Sequence, residues 1–158
     1  MASLRASRSA SVDVTFSPAT DTTLKHVLTR LTGPDYEEVV AGTGRNPLSL
    51  LPHFPFNTQV AWVKDTPVAI FGISVDALGA HPFLLTTPDI HGKGLDRFIV
   101  EFGRMKVEEW RAQYGPLSNL VYTSNHPHVR FVRAMGFTLG DTRRRGPLLK
   151  HFTEFHYV

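Results

Sequence analysis

Several groups of residues in this chain have the type and spacing to do chemistry. Asp35, Glu37 and Glu38 stand together on a short segment of helical character. A carboxylate placed beside an ammonium group can act as its general base; the plainer alternative is a set of charges on a solvated helix face. His91-Gly92-Lys93-Gly94-Leu95 opens the longest helical pattern in the chain. Small residues there let main-chain N–H groups at a helix start approach an anion, and Lys93 adds charge. In the alternative, Gly92 and Gly94 only shape a loop and Asp96 complements the helix dipole. Arg143-Arg144-Arg145 suits phosphate or a polyanion such as nucleic acid, with a solvated loop as the other reading. His126 and His128 flank Pro127, and His-x-His can ligate a metal. No third ligand accompanies them, so no metal is expected, and capping or exposure accounts for the pair. Gly72-Ile73-Ser74-Val75-Asp76 ends on Asp where a nucleophile elbow ends on Gly, and no Ser-His-Asp arrangement can be argued.

Composition narrows the frame for these groups. The chain has 158 residues, 42% hydrophobic and 20% charged, which fits one domain with a real core. It has no cysteine, which excludes disulfides, thiolate zinc sites and thiol nucleophiles. No apolar stretch reaches the roughly 18–20 residues that a membrane span needs. The formal charge of +3 is mildly basic. Residues 1–11, Ser-rich with Arg5 and Arg8, lack an apolar core and are expected to form a flexible arm. Residues 12–158 are expected to form one domain.

The elements that must position the chemistry follow from periodicity. Val12, Val14 and Phe16 alternate with polar residues as in a half-buried strand. Asp21 or Thr22 is expected to cap a helix through about Leu31, and Gly33-Pro34 separates it from a second helix over 35–43. The stretch 48–56 carries two prolines and reads as a short helix with a buried loop. Strands over 59–63 and 68–75 flank a turn at 64–67, and a third strand covers 82–87. Residues 95–113 carry a helical apolar stripe. A strand over 119–124, a short helix capped by Asn125 with Pro127 in its first turn, and strands at 137–139 and 148–157 complete the chain. The order β-α-α-β-β-β-α-β-α-β-β predicts an α/β (α+β) domain with a mixed β-sheet flanked by helices.

That order, the loop Pro88–Asp96 and the segment Asn125–Phe137 resemble the GNAT N-acyltransferase family. The Asn-to-Gly-Phe spacing, Asn125 to Gly136-Phe137, agrees with the family segment. The resemblance implies acetyl-CoA as cofactor, with pyrophosphate against His91, Gly92, Lys93, Gly94 and Leu95, and Asn125 beside it. It implies Glu38 or Asp35 as candidate base. His91 stands where Gln or Arg is usual, and Asp96 stands at the last small position, where a carboxylate repels pyrophosphate. The family's proton-donating Tyr position holds Val132, leaving Tyr122, a strand residue, as the nearest alternative acid.

Asp35-x-x-Glu38 before Gly42-x-Gly44, Ala69-Ile70-Phe71-Gly72, Phe83-Leu84-Leu85-Thr86-Thr87, Val129-Arg130-Phe131 and Phe152-x-x-Phe155 are similar to GNAT-like internal virion proteins of short-tailed bacteriophages. That likeness implies a non-catalytic role in assembling the core used for DNA delivery. Its partners would be virion or assembly proteins or copies of the chain, in the host cytoplasm or the virion interior. An amine N-acetyltransferase is the alternative.

Overall fold

In the computed structural model, which describes residues 2–5, 13–92 and 95–158, Val14 and Phe16 turn inward from a strand whose neighbours in sequence face out. This strand, β2 (Asp13–Pro18), follows β1 (Ala2–Arg5). The remaining strands are β3 (Gln59–Val63), β4 (Thr66–Asp76), β5 (Gly79–Thr86), β6 (Leu117–Tyr122), β7 (Thr138–Arg145) and β8 (Lys150–Tyr157). The helices are α1 (Asp21–Leu28), α2 (Gly33–Thr43), α3 (Leu95–Tyr114) and α4 (His126–Ala134), with 3-10 turns at Pro47–His53 and Pro88–Ile90. The eight strands form one sheet in the order β1-β2-β3-β4-β5-β6-β8-β7. It is antiparallel except where β5 meets β6. The expected mixed sheet flanked by helices is therefore present, with every expected element in its expected order.

Four local expectations are corrected. Thr20, rather than Asp21 or Thr22, caps α1, through a reciprocal capping box with Thr23, and the helix ends at Leu28. The turn after β3 is only Lys64-Asp65, so Pro67 already sits in β4, at a bulge opposite Trp62 where a missing N–H is tolerated. Ala2–Arg5, expected in a flexible arm, pairs antiparallel with β2 as an edge strand. Arg143, Arg144 and Arg145 belong to the outermost strand and not to a loop, because an edge strand can keep both faces in water.

Helices cover both faces of the sheet. Leu24, Val27 and Leu28 of α1 and Val39 of α2 pack on Val60, Ile70 and Leu85. On the other face, Phe98 and Phe102 of α3 stack near Phe16 and Phe71, and Val132 of α4 and Met135, its C-cap, join Ile73, Val121 and Phe155. Ala61 and Ala69 are direct register partners beneath the α3 phenylalanines. Two of the smallest side chains thus face each other, and an apolar cavity of about 110 Å³ remains above them.

Candidate functional site

β5 and β6 run parallel but share only the pair Ala80↔Leu117. Beyond that point the strands splay, and every main-chain group on their facing edges needs another partner. Near the apex, His81 Nδ1 lies 2.8 Å from Ser118 O, and Asn119 Nδ2 donates to Pro82 O at 2.9 Å. Asn119 Oδ1 accepts from Leu120 N at 2.8 Å.

Further out, α2 supplies the partners, because it presents Asp35 and Glu38 three residues and about one turn apart on one side. Asp35 Oδ2 accepts from Thr86 N at 2.9 Å and from Thr86 Oγ1 at 2.8 Å, while Thr32 N donates to Thr86 O at 3.0 Å. Across the gap, Tyr122 N donates to Glu38 Oε1 at 2.9 Å. Asn125 then joins the two carboxylates: its Nδ2 donates to Asp35 Oδ1 at 2.9 Å and to Glu38 Oε1 at 3.3 Å. Its Oδ1 accepts from His128 N at 3.2 Å and so caps α4.

The accounting leaves one residue of β5 with its main chain turned into the gap. Antiparallel ladders alternate, so with Thr86 N and Pro82 O facing away from β4, the N–H and C=O of Leu84 between them face the gap too.

Two pockets flank that residue. A groove of about 650 Å³ runs between the turn at 88–91, α3 and α4, with Asp35, His91, Asp96, Asn125 and Arg130 on its walls. On the other side, a pocket of about 360 Å³ carries Glu38, His53, Ser74, His81 and Asn119. Leu84 and His128 line both.

His128 is the most perturbed group at this junction. Its side chain is 13% exposed, and Nδ1 lies 3.4 Å from Glu38 Oε2, an ion-pair distance and not a short hydrogen bond. Burial works against the imidazolium. The Glu38 charge, its hydrogen bonding and the charge of Asp35 outweigh burial and raise the pKa above 6.5. With Nδ1 turned to Glu38, Nε2 is the nitrogen left for the pockets.

The other expected site residues fall as follows. Asp35 is buried and its carboxylate is engaged by three donors, so it serves the gap as a tie and not as a free base. Glu38 keeps one oxygen toward His128. Glu37 is exposed. The Tyr122 ring packs on Phe152 at 5.4 Å and lines neither pocket, so the residue contributes its N–H rather than an acid. Asn125 is buried, with both ends of its amide engaged internally. Gly92 has φ +88° with open space around it, and His91 contacts Asp96 at 3.5 Å. Leu95 is in the core, and its N–H is engaged by Gly92 O. Lys93 and Gly94 lie outside the described residues. Among the described residues no three His, Asp or Glu converge as a metal site. Val132 is buried in the apolar cluster of α4. His128 was visible in the sequence only as half of a His-x-His pair; its spacing of four before Val132, one helical turn, was the signal that could have found it.

The splayed sheet flanked by two helices on each face is the GNAT acyltransferase fold. The chain superposes on the ribosomal-protein-S18-alanine N-acetyltransferase from Escherichia coli with TM-score 0.63 and 15% identity, covering 90% of this chain and 92% of that one. A GCN5-related N-acetyltransferase from Kribbella flavida gives TM-score 0.63 at 17% identity, over 91% and 96%. The NatC complex bound to Gag peptide and CoA gives 0.59 at 13%, over 90% and 96%. At these identities the likeness establishes the fold. No protein-family model and no curated protein matches the chain. No described helix is long and apolar enough to cross a membrane.

Proposed function

We propose that the chain binds an acyl-CoA in the groove and passes the acyl group to an amine in the pocket beside Glu38. The observation that carries this reading is the main chain of Leu84, turned into a gap that joins the two pockets. An acyl-CoA fits that edge: its pantetheine arm carries amides that can pair with an open strand, and the groove has the length for it. The Gly92 turn and the start of α3 would lie toward the phosphates, with His91 beside Asp96 to offset the carboxylate. Bound there, the thioester supplies an activated acyl carbon.

This chain's own groups do the rest. The Leu84 N–H donates to the carbonyl oxygen as negative charge develops on it. Glu38 attracts the incoming ammonium. His128, whose proton affinity Glu38 raises, gives a proton from Nε2 to the departing sulfur and takes one back from the new amide nitrogen. One proton per turnover, originally on the ammonium, passes to solvent.

Calorimetric titration with acetyl-CoA tests the reading. Micromolar binding supports it, and no binding at millimolar ligand overturns it.

A second reading has its own observation. Val132 puts a buried apolar residue at the family's acid position, and Asp96 brings a carboxylate to the mouth of the groove. These favour the non-catalytic assembly role, within a phage particle or its host, that the sequence resemblance implies. Absence of acetyl-CoA binding together with capture of the chain in purified virions would select it.

A further inference from the structure

The apolar cavity over Ala61 and Ala69 has no part in the reaction described so far. It is walled by aromatic rings, among them Phe16, Phe71, Phe98 and Phe102, and among the described residues its polar groups come from His128, Lys106 and the Trp110 indole. Leu84 and His128 also line it, so the cavity, the groove and the acceptor pocket meet at the same two residues. That junction is where the acyl carbon would sit, which gives the cavity one way in from the gap.

Its size says what enters. A dry apolar cavity of about 150 Å³ takes up benzene, so 110 Å³ has room for about four carbon atoms. Acetyl supplies one carbon beyond the carbonyl and would leave most of the space empty.

We propose that this cavity is an acyl-chain pocket and that the preferred donor is a short-chain acyl-CoA of about four to six carbons rather than acetyl-CoA. The inference rests on the acyl-CoA reading of the groove and names the substrate class within it. The carbonyl stays at Leu84, and the alkyl chain passes His128 and ends among Phe71, Phe98 and Phe102.

Calorimetry with free CoA and with acetyl-, butyryl-, hexanoyl- and decanoyl-CoA tests it without need of an acceptor. Two further methylenes, each worth about 0.8 kcal/mol when buried, predict about fifteen-fold tighter binding for butyryl- than for acetyl-CoA. Decanoyl-CoA, too long for the space, falls back. A69L fills the cavity and should abolish the gain of butyryl- over acetyl-CoA. Should A69L not fold, contacts in isotope-filtered NMR between the butyryl methyl and the Phe71 and Phe102 rings of the unmodified protein take its place. Equal affinity for acetyl and butyryl, or no such contacts, overturns the acyl pocket and leaves the acyl-CoA reading standing. Absence of binding by every member, free CoA included, overturns both.

Discussion

Asp35 and Glu38 sit one turn apart on the same helix, carry the same functional group and brace the same gap, yet their surroundings differ. Asp35 reaches the β5 edge, is buried, and meets three donors from Thr86 and Asn125. Glu38 reaches the β6 edge, shares one oxygen between Tyr122 and Asn125, and leaves the other to His128. A carboxylate with both oxygens engaged holds strands apart at a fixed width. A carboxylate with one oxygen over can hold a proton on its neighbour. The difference separates a structural half of the gap, where Asp35 only braces, from a chemical half, where Glu38 faces a titratable neighbour.

The largest expected effect comes from breaking the structural half. D35A strands Thr86 N and Thr86 Oγ1 without their acceptor and leaves Asn125 Nδ2 only its longer contact to Glu38, at about 1 kcal/mol or more for each bond lost. For a chain of this length that lowers Tm by about 10 °C, measurable by calorimetry. A Tm within two or three degrees of the parent would remove Asp35 as the tie.

E38Q and H128Q probe the chemical half. His128 has a folded-state pKa raised above 6.5, so the stabilisation it brings is complete below pH 6.5 and is lost as pH rises through the raised value. Melting temperature should therefore decline with pH across that window, and H128Q should flatten the decline. E38Q removes the main attraction for the imidazolium, so the His128 titration followed by NMR should move to lower pH. An unmoved titration in E38Q would erase the contrast between the two carboxylates.

The smallest effect is expected far from the gap. Arg144 and Arg145 are exposed, so R144A with R145A should leave stability within about 0.5 kcal/mol. If this edge meets nucleic acid, the salt slope of DNA affinity should fall by about two. An unchanged slope would reserve the partners of this protein for the gap side.

Much of the scaffold could be read before the structure. Alternation at Val14 and Phe16, the apolar stripe from Leu95 to Met105 and the spacing from Asn125 to Gly136 are local signals, and local signals survive in one sequence. What stayed hidden was pairing at a distance. Asp35 meets Thr86 across 51 positions and Asn125 across 90, and no periodicity encodes that. The three arginines concealed a strand because polar residues on both faces erase the period of two. His128 left only its one-turn spacing from Val132, and the Ala61–Ala69 cavity depends on register between strands, which leaves no motif.

The outermost position of β7 has one more consequence. An open sheet ends in unpaired main-chain groups that could recruit a strand from another copy, and here that border carries Arg143, Arg144 and Arg145, with Lys150 directly opposite Arg145. Two such borders brought together would align cation against cation. Arg143 is paired with Glu154 at 3.1 Å, so Arg144, Arg145 and Lys150 would carry the repulsion; salt screens it, and clustering of the protein is expected to rise with salt.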